Sequence, residues 1–287
     1  MSATTAPQQD RLEIIIYYVL MGIAGYAAYL NTTVWSIEVR FLVADLVMMM
    51  IAFAFSLYKR NSSVYDAYWS VIPFYFILAM WWDAPSWGAH QWVYAGVVSV
   101  WSWRLTHNWY RSWSGWSHED WRYVNYRKQL GKQFIWMNFF GLHLYPTLIV
   151  FASLLGMFTV MSPTVQEHSF LFPLGAAIAA VGIALELFAD NALYAHRTAS
   201  ADRPLILRKG LWNYTRNPNY LGEMLFWWGL ALMGFAYGAA WWTGIGAAGM
   251  VAMFVFASIP MKEARLRETK GEAFEQYMRE VPRLLPI

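Results

Sequence analysis

Long apolar runs separated by short polar breaks account for most of this chain. Eight stretches, roughly 12–30, 38–57, 67–83, 91–108, 134–161, 170–192, 217–236 and 239–260, are predominantly apolar. Several reach the ~20 residues that a helix needs to cross a bilayer. Backbone amides in lipid must be bonded internally, so such runs predict helices rather than isolated strands. The alternation typical of barrel strands is absent. The third run is the weakest, because Pro73 and Trp81-Trp82-Asp83 interrupt it. The pattern predicts an all-α, polytopic membrane helix bundle of about seven to eight transmembrane helices. Nothing marks a repeat or a separate soluble domain, so residues 1–287 read as one integral membrane domain.

Charge placement favours eight spans over seven. With both termini on one side, that side holds all of the 21 Lys and Arg except Arg40. An odd count would scramble this partition, and by the positive-inside rule the crowded side is cytoplasmic. The opposite connections, 31–37, 84–90, 162–169 and 236–238, are short and poor in charge. The cytoplasmic ones, 59–67, 109–133, 193–216 and the tail from Met261, carry the polar chemistry. Residues 262–279 read as an amphipathic helix on the membrane surface, either an anchor for anionic lipids or a wall of a site.

Composition agrees with this reading. The chain is 58% hydrophobic and only 14% charged, against about a quarter charged in soluble domains. With no Cys, disulfides, thiolate catalysis and Cys-bound metals are excluded. A net charge of +3 is too small to argue for nucleic acid. The first ten residues lack the basic-then-apolar order of a signal peptide, so the first helix is expected to stay in the mature protein.

Four polar clusters carry candidate chemistry. Trp212-Asn213-Tyr214-Thr215-Arg216-Asn217-Pro218-Asn219-Tyr220-Leu221-Gly222-Glu223 abuts an apolar run. Such polar density at a helix mouth is costly in a membrane unless something polar binds there. Glu186 and Asp190 are four residues apart and share a helix face, followed by Tyr194, His196 and Arg197. They suit a ligand's hydroxyls, a proton or a metal, or they pair with Arg197 and Arg203; a single nearby His makes metal binding weak. Asp66, amid Tyr65, Tyr68 and Trp69, is either a helix cap or an acid beside a pocket. The loop with Arg104, His107, Tyr110, Arg111 and His118 to Tyr123 mixes cations and aromatics. It fits a phosphate grip or an interfacial aromatic belt. In the tail, Glu263 and Arg267 either pair with each other or close over a ligand. No Gly-rich phosphate loop is present.

Gly210-Leu-Trp212-Asn-Tyr-Thr-Arg216-Asn217-Pro218-Asn219-Tyr220-Leu-Gly222-Glu223 resembles the G-x-W-x-x-x-R-H-P-N-Y-x-G-E/D signature of the steroid 5-alpha-reductase and sterol-reductase superfamily, with Asn217 in place of His. The tail 263–282 resembles that superfamily's C-terminal end, and Glu186, Asp190 and Arg197 fall where its members carry cofactor-binding residues. Asp66, Trp69 and Glu119-Asp120-x-Arg122-Tyr123 are similar to a bacterial branch of unassigned activity. The resemblance implies NADPH in a cytoplasm-facing cavity and reduction of an activated C=C bond in a lipophilic, steroid-like or other isoprenoid or lipid enone. It implies a bacterial cell membrane as the location. Residues 134–287 become the cofactor half and 1–133 the variable substrate half. Asn219, Tyr220, Glu223, Trp212, Tyr214, Arg216, Glu186, Asp190, Arg197 and Arg208 are implied at the cofactor, with Glu263 and Arg267 closing the pocket and Arg104 and Arg111 as further candidates. The superfamily's Gln-Glu pair falls on Tyr65 and Asp66, and its later Tyr on Trp101. That leaves Asp66 to polarise a carbonyl if burial keeps it protonated, with Tyr65 or Tyr110 as the phenol. Isoprenylcysteine carboxyl methyltransferases share a similar Arg-x-Pro-x-Tyr-x-Gly segment and a similar tail. S-adenosylmethionine-dependent methyl transfer is therefore the competing expectation, and a non-enzymatic lipid-binding protein the third.

Overall fold

The computed structural model describes residues 6–84, 86–162, 170–200 and 202–285. These residues form helices and connections, with no strand among them. Eight long helices occupy the eight apolar runs: α1 Gln8–Leu30, α2 Ile37–Lys59, α3 Tyr68–Asp83, α4 Ala89–Ser112, α5 Trp121–Met161, α6 Leu171–Thr198, α7 Pro218–Ala236 and α8 Trp241–Lys270. A short α9, Glu272–Glu280, follows. Five of these helices, α1, α2, α5, α6 and α8, are long and apolar enough to cross a membrane, and the protein is a helical membrane protein. Of the other three, α3 has only 16 residues, α4 carries Arg104 and Arg111, and α7 opens on the polar turn 218–223. The 162–169 connection lies almost wholly outside the described residues.

Three expectations change. Pro73 does not break α3, which runs through it. The expected cytoplasmic loop 109–133 is largely helical, because α5 begins at Trp121 with Asp120 as its cap, Oδ1 accepting from the Arg122 N–H at 2.9 Å. The tail is not one surface helix. Residues 262–270 continue α8, and Gly271, at φ 53°, turns the chain into α9. A left-handed φ of that kind is cheap only for glycine.

Two helices widen into π turns, Met137–Leu144 in α5 and Phe254–Ser258 in α8. Each lies just ahead of a proline, Pro146 and Pro260. A proline has no N–H to donate and clashes with the carbonyl four residues back, so the preceding turn must reroute its hydrogen bonds.

The chain packs as two compact units, 1–162 and 163–287. The stretch 134–161, grouped from sequence with the later half, packs in the first unit against α2, α3 and α4. That unit's core is aromatic. Phe41 touches Tyr29, Phe76 and Phe158 at centroid distances of 4.6, 4.7 and 5.6 Å. The second unit is built on the α6–α7 pair, and here small residues replace large ones. A Cβ on Gly182 would stand 2.5 Å from the Gly222 carbonyl oxygen, and one on Gly229 would stand 2.6 Å from that of Gly175. Backbones this close gain dispersion contact without a solvent-driven term, the usual solution for helices in lipid.

Candidate functional site

In the second unit, the turn before α7 is held by the tail. Pro218 opens α7, a position where its missing N–H costs nothing. Asn217 is fully buried, and its side chain does not cap the helix. Instead its Nδ2 donates to the Arg283 carbonyl at 2.9 Å, and its Oδ1 accepts from Lys262 Nζ at 2.8 Å. Arg216 donates through Nε to Glu263 Oε1 at 3.0 Å and through Nη1 to the Met278 and Val281 carbonyls. Glu263 Oε2 accepts from Arg283 at 3.2 Å. The buried Glu263 therefore carries two guanidiniums, and most of the Arg216 fork is engaged by the chain's own tail.

Lys262, singled out only as part of the tail, sits at the middle of this turn. Its Nζ lies 5.1 Å from the Trp212 ring centroid and 5.0 Å from that of Tyr220, within cation–π range of both. Trp212 is fixed in turn, donating from Nε1 to the Ala189 carbonyl and accepting from the Tyr277 hydroxyl at its own carbonyl. The only sequence signal for Lys262 was its place beside Glu263.

The carboxylates Glu186, Asp190 and Glu223 are 1%, 8% and 4% exposed. A Cβ on Gly222 would stand 2.5 Å from Glu186 Cγ, so the invading stem of Glu186 requires glycine there. One turn before Glu223, Asn219 Oδ1 is buried without a hydrogen-bond partner. Native buried acceptors are almost always paired, and an orphan calls for a ligand, a water or a role.

Other expected cofactor residues lie elsewhere. Tyr214 is 66% exposed and lines an outer groove with Phe188, Ala192 and Ala195. Those three α6 residues occupy a different face from Glu186 and Asp190. Arg208 pairs with Glu280 and lies over the Tyr277 ring. Glu280 is held below the usual carboxylate range by hydrogen bonds from Arg208 and Gln276. Arg267 turns to Glu275 at 3.3 Å, so it neither pairs with Glu263 nor joins it. Arg197 is exposed at the end of α6, but unlike these its charge reaches Lys262 at the turn.

The first unit holds a second cluster, where residues 61–66 meet residues 116–123. Asn61 Nδ2 donates to the Trp116 and His118 carbonyls at 3.0 and 2.9 Å. The Ser62 N–H donates to Glu119 at 2.7 Å, and Ser63 Oγ accepts from the Asp120 N–H at 2.9 Å. Within this frame the Tyr123 hydroxyl donates to Asp66 Oδ1 at 2.5 Å. Asp66 does not cap α3, whose cap position is Ala67. Burial raises the Asp66 pKa to about 6, helped by the Asp120 charge and opposed by Arg122 and by hydrogen bonds from Tyr123 and Ser63.

The phenol beside Asp66 is thus Tyr123, and neither of the two tyrosines expected there. Tyr65 shares its hydroxyl with Thr147 at 2.6 Å and stacks on Tyr68, and Tyr110 lies under Arg11. Arg111 grips Asn108 Oδ1 at 3.1 and 2.8 Å, and Arg104 is buried in α4. Trp101, at the superfamily's Tyr position, is buried edge-on to Trp69. Sequence reading also passed over Asp45, 1% exposed in mid-α2, which accepts from the Tyr68 hydroxyl at 2.7 Å. A lone acid inside an apolar run was the available signal. Among the described residues, no three His, Cys, Asp or Glu side chains are grouped as a metal would need.

The model of one protein family covers residues 52–281, which include the cluster of the first unit and all of that of the second unit but Arg283. The chain belongs to the DUF1295 family. Its description is "protein of unknown function". No curated protein and no solved structure matches this DUF1295 chain.

Proposed function

We propose that this DUF1295 protein is a membrane-embedded, NADPH-dependent reductase of an activated C=C bond in a lipophilic enone. The observation that carries the reading is Asn219, whose Oδ1 is buried without a partner on the same turn as the buried Glu223. An acceptor-rich wall made by Asn219, Glu223, Glu186 and Asp190 fits the hydroxyl and amide donors of a dinucleotide. The resemblance of residues 210–223 to a reductase signature supports the same assignment. Bound NADPH would supply hydride chemistry, which side chains alone lack.

This reading gives the chain's own residues distinct tasks. The carboxylates and Asn219 hold and orient the cofactor. Trp212 and Tyr220 keep Lys262 at the turn, and Glu263 locks Arg216 so that the turn keeps its shape. Asp66, with a pKa near 6, is protonated in about a tenth of molecules at pH 7, far more than an ordinary Asp. In that form its carboxyl is a hydrogen-bond donor of the kind that a developing enolate oxygen needs. Tyr123 orients it.

The test is calorimetric titration of the purified protein with NADPH and with S-adenosylmethionine. We expect NADPH to bind, and Asn219→Ala and Glu223→Ala to weaken it at least ~10-fold with unchanged melting, the scale of losing one or two hydrogen bonds to a polar ligand. Binding of S-adenosylmethionine alone would replace this reading with methyl transfer. Binding of neither would favour a lipid-binding protein.

A further inference from the structure

The outer face of α6 carries a groove that the reductase reading does not use. It encloses about 740 Å³, within the range of small-molecule sites. Its floor is apolar, formed by Phe188 and Ala192 of α6 and by Leu211 and Tyr214 of the turn before α7. Phe188 and Tyr214 are 65% and 66% exposed. Large aromatics left open in this way on a membrane helix are covered by lipid or by a ligand.

The groove is graded along its length. Phe188 lies within the apolar part of α6, and His196 lies two turns further on, about 12 Å along the axis. His196 and Lys209 form the polar end, and among the described residues no carboxylate lines the groove. Arg197, Arg203 and Lys270 lie close enough for their charges to act on His196. One end is therefore apolar, and the other is cationic at the end of the helix. A free anion would gain nothing from the apolar floor, and a zwitterionic lipid would set its own ammonium against the cations.

We propose that this groove binds an anionic phospholipid, with an acyl chain along Phe188 and the phosphate at Lys209 and His196. The proposal is independent of the cofactor assignment, since Phe188, Ala192 and Ala195 lie on a different face of α6 from Glu186 and Asp190. A basic side chain at a membrane surface favours an anionic headgroup by about fivefold.

The test uses the full-length protein in nanodiscs of mixed phosphatidylglycerol and phosphatidylcholine, with retained lipids counted by native mass spectrometry. Wild type should retain phosphatidylglycerol in preference. Lys209→Gln should lower that preference about fivefold, while Lys128→Gln, an equal loss of charge at an exposed site on α5, should not. Phe188→Ala should release both lipids more readily and leave the headgroup preference intact. Equal retention of the two lipids would overturn the proposal, as would equal effects of the two Lys variants. Displacement of the retained lipid by inorganic phosphate would also overturn it, because the site would then recognise a free anion. Both Lys side chains are exposed, and melting curves in the same nanodiscs identify any variant that fails to fold.

Discussion

The two polar clusters solve the same problem in opposite ways. In the first unit, segments 61–66 and 116–123 are joined mainly through backbone N–H and C=O groups, by way of Asn61, Ser62, Ser63 and Glu119. Asp66 itself is held by a phenol, with the Arg122 charge acting on it without a direct bond among the described residues. In the second unit, residues 215–217 reach the carbonyls of 278–283, but ion pairs anchor the frame, with Glu263 between two arginines and Lys262 between two rings. A frame of backbone bonds can surround an acid without neutralising it, so Asp66 keeps an elevated pKa. A frame of ion pairs leaves little chemistry in its own members. Glu263 and Arg216 therefore read as fasteners, and the reactive candidates are the groups they leave alone.

The largest effect should come from breaking the ionic frame. Glu263→Ala strands the Arg216 guanidinium, 10% exposed, beside a buried gap, which in comparable sites costs about 3–5 kcal/mol, while Arg283, 45% exposed, can turn to water. We expect a large drop in melting temperature in detergent and early protease cleavage after α8. Glu119→Ala in the first unit should cost less, because its partner Arg127 is 41% exposed and can turn to water. Equal losses would erase the distinction between the frames.

A smaller contrast separates the helix packing of the two units. Gly182→Ala places a methyl 2.5 Å from a backbone oxygen and 2.7 Å from a backbone nitrogen, neither of which can rotate away. Overpacking of this kind costs about 1–3 kcal/mol. Gly96→Ala in α4 meets nothing within 4 Å and should be neutral or stabilising by up to about 1 kcal/mol, since alanine is the better helix former. Thermal melting of the two variants checks the sign of each.

The same comparison explains what the sequence could tell. The eight helices were legible because each follows a long apolar run, and five of them also meet the length that bilayer thickness demands. The start of α5 was hidden because Trp121 to Lys132 is rich in charge and is helical through its Asp120 cap and its packing, without an apolar stripe. The segment 212–223 announced itself by polar density against an apolar run. The roles within it did not follow, because they are fixed by partners 45 to 66 residues away, as in Asn217 with Lys262 and Arg283. Asp66 and Tyr123 are 57 residues apart, and no local periodicity pairs them. Tyr214 and Trp212 were read alike, yet a two-residue step in the turn sends one outward and buries the other.

The smallest predicted effect is also the one most specific to Asp66. Its folded pKa, about 6, lies above the ordinary carboxylate value. The native state therefore favours the protonated form. Its stabilising contribution is full below about pH 4 and is lost as pH rises through 6. Relative to Asp66→Asn, which does not titrate, wild-type melting temperature should fall across that window. Tyr123→Phe removes a hydrogen bond that favours the carboxylate, so it should cost about 1 kcal/mol at neutral pH and move the window upward. Melting curves from pH 4 to 8 in one detergent read both effects. A window that stays put in Tyr123→Phe would mean that burial alone sets the Asp66 proton affinity, and the tyrosine would then lose its role as the group that orients the acid.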